Sequence, residues 1–252
     1  MKKYLILLAA SILIIPGMLF SDIVTFKVGY FIPRADSDLW QIEFENMDFT
    51  KTDFQHSSFC FSYEYFFTNY ASILFTVEGY NEQKVGFYKD YVGYTFPDGE
   101  WAYPGEYQGD FIPNHVFSVA STPLLVSLKL APLGRAHKII PYIGAGAGIF
   151  LWSVELEGDT IDFSDEWIDT EEQVSVYPIY YTYASERGRI SFGAQVFGGF
   201  MIPVANRLSV ETEFKYVYVE GRFSDDPYQG FQGFDPIDLS GYQFSLGVNY
   251  WF

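Results

Sequence analysis

The chain has 252 residues, enough for one domain, and a formal net charge of −17 that argues against nucleic acid as a partner. Aromatic residues make up 21% of it, with 26 Phe and 21 Tyr. This share is high for a water-soluble core and typical of a wall that faces lipid. The single cysteine, Cys60, has no second cysteine with which to form an internal disulfide, so we expect it to be a small packed residue.

The N-terminus predicts a secretory signal peptide. Two lysines precede an apolar stretch that ends at the small residue Ser21. An uncleaved membrane anchor is the alternative, but the stretch is short for one and contains Pro16. We therefore expect residues 1–21 to be removed on export and residues 22–252 to form a single domain.

After Ser21, apolar and polar residues alternate in segments of about ten residues, the pattern of transmembrane β-strands. The predicted strands, in chain order, cover residues 24–30, 58–67, 72–78, 124–130, 142–151, 189–202, 208–218 and 242–252. The connections between them are alternately long and short. The long ones cover residues 33–53, 81–114, 155–188 and 223–239. This rhythm predicts an all-β fold, an eight-stranded antiparallel up-and-down barrel with four long extracellular loops and both chain ends in the periplasm.

Two segments inside the long connections have patterns of their own. Residues 174–184 also alternate, so they are either a ninth strand or an extension of the sixth. We favour the extension, because a ninth strand would break the alternation of short and long connections. Residues 37–47 predict one amphipathic helix with Asp36 or Ser37 as its N-cap.

The polar faces of the predicted strands distinguish a membrane barrel from a soluble sandwich. They carry four basic and four acidic side chains, although the whole chain is strongly acidic: Lys27, Lys129, Arg189, Lys215, Glu64, Glu78, Glu211 and Glu213. Ions inside a narrow barrel must be paired, because an isolated buried charge is very costly. The balance predicts an interior salt-bridge network, and with only eight strands we expect side chains to fill the barrel. The alternative is a solvated face on which the charges balance by coincidence.

The last strand carries a second signal. A polar residue, a glycine two positions later and alternating aromatics up to the end form the motif Ser245, Gly247, Tyr250, Phe252. Two further stretches are Val28-Gly29-Tyr30-Phe31-Ile32-Pro33 in the first strand and Pro141-Tyr142-Ile143-Gly144-Ala145-Gly146-Ala147-Gly148 in the fifth. On these features the chain resembles the outer-membrane β-barrel families, the OmpA, OmpX and OmpW-like group. The resemblance implies a bacterial outer-membrane location, lipid contact, and recognition of the last strand by the barrel-assembly machinery.

The sequence offers no evident catalytic set. Of its three histidines, His56 and His115 lie near the outer strand ends, and Ser57 and Ser58 beside His56 do not complete a nucleophile–base–orienter arrangement. We therefore predict no enzyme, no catalytic residues, no cofactor and no dedicated metal site. The acidic connection 155–188 is expected to be a solvated surface, with a divalent cation or an extracellular ligand as the alternative occupant.

Two functions remain open for a monomeric barrel of this kind. The first is a filled, salt-bridged protein that interacts at the cell surface through its acidic loops. The second is an OmpW-like channel for small apolar molecules, compatible with the inward residues Leu74, Leu125, Phe150 and Phe197. The loop aromatics are either adhesive contacts or mutual packing over the barrel mouth: Trp101, Tyr103, Tyr107 and Trp167.

Overall fold

The computed structural model describes residues 22–224, 230–231 and 233–252, so the predicted signal peptide lies outside the described residues. One α-helix, α1 (Asp38–Asn46), and a short 3-10 helix (Lys51–Phe54) follow the first strand of this part of the chain. No helix among the described residues is long and apolar enough to cross a membrane. The strands are β1 (Ile23–Pro33), β2 (His56–Phe66), β3 (Ala71–Phe87), β4 (Tyr91–Phe96), β5 (Gly99–Pro104), β6 (Asn114–Leu130), β7 (Ile140–Ile161), β8 (Trp167–Asp169), β9 (Val174–Ala205), β10 (Leu208–Gly221), β11 (Ile237–Asp238) and β12 (Gly241–Trp251).

Eight of the described strands close into a barrel. In the order β1, β2, β3, β6, β7, β9, β10 and β12, each pairs antiparallel with the next, and β12 pairs back with β1. The closing register joins Ile23 to Trp251 at one end and Pro33 to Gly241 at the other. Closure gives every barrel strand a hydrogen-bonding neighbour on both sides. The predicted eight-stranded antiparallel up-and-down barrel is confirmed.

The two ends of the barrel differ in their connections. At the turn end, residues 67–70, 131–139 and 206–207 link the strands, and the first and last described residues lie beside them. At the loop end, the long connections carry α1 and the strands β4, β5, β8 and β11. The predicted alternation of short and long connections is therefore present in the structure. The predicted helix is present too, with Ser37 as its N-cap residue.

The long connections contain more strand than the sequence predicted. β7 is 22 residues long and β9 is 32, so most of the predicted loop 155–188 is wall. Segment 174–184 is an extension of the sixth barrel strand, the option we favoured. A bulge in β9, opposite residues 152–154 of β7, changes which residues of β9 face inward: Ala184 and Glu186 are buried above it, whereas Ile190 and Phe192 are exposed below it. The β-propensity of a single segment does not reveal these longer strands, because hydrogen bonds to neighbouring strands stabilise them.

The outer surface between the two ends is apolar. Its exposed side chains are those of the apolar face in the predicted alternation, among them Phe26, Phe59, Phe75, Val126, Phe192, Val196, Phe214, Phe244, Leu246 and Val248. Tyrosines border this band, with Tyr30, Tyr216 and Tyr242 toward the loop end and Tyr250 toward the turn end. An apolar band between tyrosine girdles is the surface that a lipid bilayer requires. The exterior thus defines a transmembrane barrel.

The interior is filled in three layers. An apolar layer at the turn end contains Ile23, Phe66, Leu74, Ile140, Phe197 and Met201. Charged side chains form the middle layer. A larger apolar core at the loop end joins the barrel to α1 and the upper strands, and includes Trp40, Phe54, Phe117, Phe150 and Trp152. Gly144 faces the interior, where an added Cβ would lie 2.2 Å from the ring of Phe197, so this glycine leaves room for that ring.

We expect Leu246→Arg to lower the free energy of unfolding by about 2–4 kcal/mol, because it places a charge on the lipid-facing surface near mid-membrane. Urea titration of the protein refolded in phospholipid vesicles measures this loss. Tyr181→Arg is the matched control, since Tyr181 is 70% exposed on β9 beyond the apolar band. Equal effects of the two variants would contradict the assignment of the band.

Candidate functional site

The middle layer of the barrel is a cluster of buried ion pairs. Lys27 Nζ lies 2.7 Å from Glu211 Oε1 and 2.7 Å from Glu213 Oε2. Lys129 Nζ lies 2.9 Å from Glu64 Oε2 and 3.8 Å from Glu211 Oε2. These five side chains form one connected chain of alternating charge across the lumen. Each is at most 7% exposed, so neither solvent nor salt screens them appreciably.

A further pair extends the cluster toward the loop end. Lys215 Nζ lies 2.5 Å from Glu78 Oε2, and the amide of Gln243 donates to the other oxygen of Glu78. Uncharged donors also bind two carboxylates of the connected chain. Ser72 donates to Glu64 at 2.5 Å, and Asn249 donates to Glu211 at 3.3 Å. A buried ion pair is tolerable only with such supplementary bonds, and this cluster has them.

Arg189 does not join the cluster. Its side chain is 38% exposed near the loop end, where it lies 3.4 Å from Glu186 and donates to the backbone carbonyls of Arg222 and Phe223. Alternation predicted that Arg189 faces inward, but it gives no information on where its side chain lies along the barrel axis. Seven of the eight predicted charges meet, and the eighth holds the connection after β10 against β9.

A cation that the sequence analysis missed lies at the turn end. The Arg135 guanidinium is 4.1 Å from the centroid of the Phe66 ring and lines a small cavity together with Glu64 and Lys129. It belongs to a short turn, where side chains are expected to face solvent. The residue pattern of one turn gives no signal that it folds under the barrel opening, so only tertiary structure places this charge beside the cluster.

The C-terminal motif residues lie on the closing strand β12. Ser245 and Gly247 face the lumen, and Tyr250 and Phe252 pack edge to face outside it with ring centroids 5.1 Å apart. A Cβ at Gly247 would lie 2.8 Å from Lys27 Cγ and 3.2 Å from Glu211 Cγ. The glycine of the motif therefore leaves room for the ion cluster, a reason for its presence that is independent of any assembly signal.

The loop end of the lumen is covered by residues 34–55, which we call the plug segment. Trp40 of α1 is 1% exposed, and its ring lies edge-on to those of Phe54 and Phe117, with centroids 4.9 and 5.2 Å away. Its indole Nε1 donates to the carbonyl of Asp238 at 2.9 Å. The Arg34 Nε lies 2.8 Å from the Asp238 carboxylate. Apolar packing and polar bonds together fasten this segment across the mouth.

A buried histidine ties the plug segment to the wall. His115 of β6 is 2% exposed, with Nε2 2.7 Å from Glu43 of α1 and Nδ1 3.2 Å from the carbonyl oxygen of Asp159. His56 lies 3.2 Å from Glu82 at the top of β2. Each histidine is engaged with a carboxylate, and neither pair includes a nucleophile. The geometry of these residues is that of structural contacts.

A cavity of about 30 Å³ lies between the plug segment and the ion cluster. Apolar side chains line most of it: Phe31, Trp40, Tyr80, Val119, Phe150, Val217 and Leu239. Ser58, Glu78 and Gln243 provide a polar side. The Ser58 hydroxyl is buried there without a hydrogen-bond partner among the described residues. This volume holds a few water molecules at most, and Trp40 of α1 lines its loop-end side.

The upper strands present an acidic and aromatic surface. Asp162 accepts from Ser164, Glu166 accepts from Ser175 at 2.5 Å, and Asp169 accepts from Tyr103 at 2.8 Å. Trp101 and Trp167 are in contact, with ring centroids 5.6 Å apart. In the described part of the chain, no group of three or more His, Cys, Asp or Glu side chains is arranged to hold a metal ion. These carboxylates instead bind hydroxyl and amide donors separately.

The closed wall, the apolar band and the ion-paired lumen define a small β-barrel of the outer-membrane type. Solved barrels of this type have a similar fold. Neisserial surface protein A is 14% identical, with 92% of this chain and 97% of that chain covered and a TM-score of 0.49. OprG of Pseudomonas aeruginosa is 10% identical, with 92% of this chain and 96% of that chain covered and a TM-score of 0.49. Ail of Yersinia pestis is 11% identical, with 93% of this chain and 100% of that chain covered and a TM-score of 0.41. No protein-family profile and no curated protein sequence matches the chain.

We expect Lys215→Met to cost about 3–5 kcal/mol of unfolding free energy, because it leaves the Glu78 carboxylate buried without its cation. Adding Glu78→Met removes that unpaired charge and should recover most of the loss. Urea unfolding followed by heat-dependent gel mobility measures both. Arg189→Met serves as a control outside the cluster. Additive costs in the double variant would show that the two groups do not act as a pair.

Acid should loosen the contact between β5 and β8. The Tyr103 hydroxyl and the amides of Glu171 and Glu172 lower the pKa of Asp169, whereas burial and the Asp169 bond raise the pKa of Tyr103 to about 12. A lowered carboxyl pKa stabilises the folded loop above the ordinary Asp value, and this stabilisation is lost as pH falls through the lowered value. Tryptophan fluorescence between pH 7 and 2 should report the transition. In Asp169→Asn, the part of the fluorescence transition that comes from Asp169 should be absent. Identical titrations of this variant and the unaltered protein would contradict the assignment.

Proposed function

We propose that this chain is a non-enzymatic interaction protein of the bacterial outer membrane. Export by the signal peptide places both chain ends in the periplasm and the loop end outside the cell, and β12 serves as the strand read by the barrel-assembly machinery. The alternation of short turns and long connections supports this orientation, because periplasmic turns of such barrels are short.

The filled lumen is the observation that carries the proposal. A solute crossing the barrel would meet the plug segment, then the paired charges, then the apolar layer at the turn end. Separating buried ion pairs without a replacement partner is very costly, so the middle layer does not open by side-chain rotation alone. Eight strands also leave a lumen that side chains fill. Transport of polar solutes is not the function that this geometry supports.

The part of the barrel beyond the apolar band, at the loop end, is suited to binding at its surface. β3, β6, β7 and β9 continue past the apolar band, and β5 pairs with β9 to widen the wall. The core at the loop end continues between these strands, with Ala102, Ile161 and Ile179 buried there. A rigid wall fixes the side chains on its outer face, which lowers the entropic cost of binding. This arrangement supports a function at the cell surface.

The purified full-length protein should give no ion conductance in planar bilayers and no uptake of small solutes into liposomes. The plug segment and the ion cluster block the lumen independently. Conductance and uptake should therefore still be absent when residues 38–46 are replaced by a Gly-Ser linker. A general porin in the same vesicles provides the positive control. Stable conductance of the unaltered protein would overturn the proposal.

The cavity below α1 favours a second candidate, a path for small apolar molecules. Its walls are mainly apolar, and Trp40 and Leu239 separate it from the outside. Its volume is too small for such a molecule unless the plug segment moves. Uptake of an apolar probe by the unaltered protein, increased by Trp40→Ala, would favour this candidate over the surface role.

A further inference from the structure

The β4–β5 hairpin has two different faces. On the inner face, Ala102 is fully buried, and Gly93 lies so close to the Phe111 ring that an added Cβ would be 2.4 Å from it. The outer face carries aromatic side chains and is joined by rings from the following loop and from β8. We call this set the aromatic shelf: Tyr94, Phe96, Trp101, Tyr103, Tyr107 and Trp167.

The rings of the shelf form a continuous surface. Tyr94 lies 4.8 Å from Tyr103 and 6.1 Å from Phe96 between ring centroids, and Tyr103 lies 5.9 Å from Tyr107. Phe96 is 41% exposed and Trp167 is 57% exposed. Tyr94, Trp101 and Tyr107 are half-buried, and Tyr103 is buried. Phe96 and Trp167 therefore present most of the exposed ring surface, and contacts with the other rings hold it in place.

The charge around the shelf has one sign. In residues 90–113 and 157–173, every charged side chain is Asp or Glu. The Asp169 carboxylate accepts from the Tyr103 hydroxyl at 2.8 Å, and Glu106 and Glu172 interact electrostatically with Tyr107. An anionic polymer or a phosphate headgroup would be repelled here. A cation gains from the carboxylates and from the negative faces of the aromatic rings.

We propose that the aromatic shelf binds an extended, arginine- and lysine-rich segment of another protein, an inference that rests on the proposed surface role. Guanidinium groups stack on exposed Tyr and Trp rings while pairing with carboxylates. The shelf is a flat sheet face and not an enclosed pocket, which suits a chain more than a free ion. Side chains on one side of an extended segment recur about every 6.6 Å, close to the 6.1 Å spacing of Tyr94 and Phe96.

The test uses the full-length protein in nanodiscs and a labelled twelve-residue peptide that alternates arginine and serine. Fluorescence anisotropy should give saturable binding that weakens in high salt, and the same peptide with glutamate for arginine should not bind. Phe96→Ser with Trp167→Ser should weaken binding at least tenfold. Glu106→Gln with Glu172→Gln should weaken it and reduce its salt dependence.

Tyr181→Ser with Tyr183→Ser is the matched control, because these exposed aromatics lie elsewhere on the upper wall beside Glu155 and Glu157. Unchanged binding in this control supports the shelf. Equal losses in both aromatic pairs, or competition by tetramethylammonium at the peptide's own affinity, would overturn the proposal. If the peptide does not bind to protein that shows no conductance, the proposed binding at the aromatic shelf is wrong. The surface role is then tested by the conductance measurement alone.

Discussion

The rest of this structure depends on one requirement: in hydrocarbon, backbone N–H and C=O groups must bond to other strands, because no water is present to take their place. Only closure of the sheet meets it, and here closure is made by β1 and β12. Once the ring is closed, the apolar face of each strand must point to lipid. The polar face, with its charges, is then confined inside a lumen too narrow for water to solvate it.

That confinement explains the ion cluster. Lys27, Lys129 and Lys215 reach carboxylates on strands that are remote in sequence, and Ser, Asn and Gln side chains supply the remaining bonds. The cluster needs space as well as charge, and Gly247 provides it on the closing strand. The longest strands, β7 and β9, continue past the apolar band into the upper wall, where acidic and aromatic residues lie.

Much of the fold could be predicted because alternation with a period of two is a local property. It located all eight barrel strands and placed Phe244, Leu246 and Val248 outside, as the structure has them. Residue type and alternation also placed seven charges on the inner face. They could not give the height of Arg189 along the barrel or the fold of the turn that carries Arg135, since both depend on strand register. Within the plug segment, residues 37–47 were predicted as a helix, but not as part of a cover for the lumen.

The sequence by itself determined the number of barrel strands, their inward and outward faces, the helix after the first strand and the acidity of the long connections. Each of these depends on residues that are close together in the chain. Tertiary structure alone decided which charges pair, how far β7 and β9 continue, and that α1 closes the mouth through Trp40, Glu43 and their partners. It also gathered Trp101 and Trp167 from two connections into one surface. The physical reason is that these features depend on register and on contacts between distant segments, which no local pattern records.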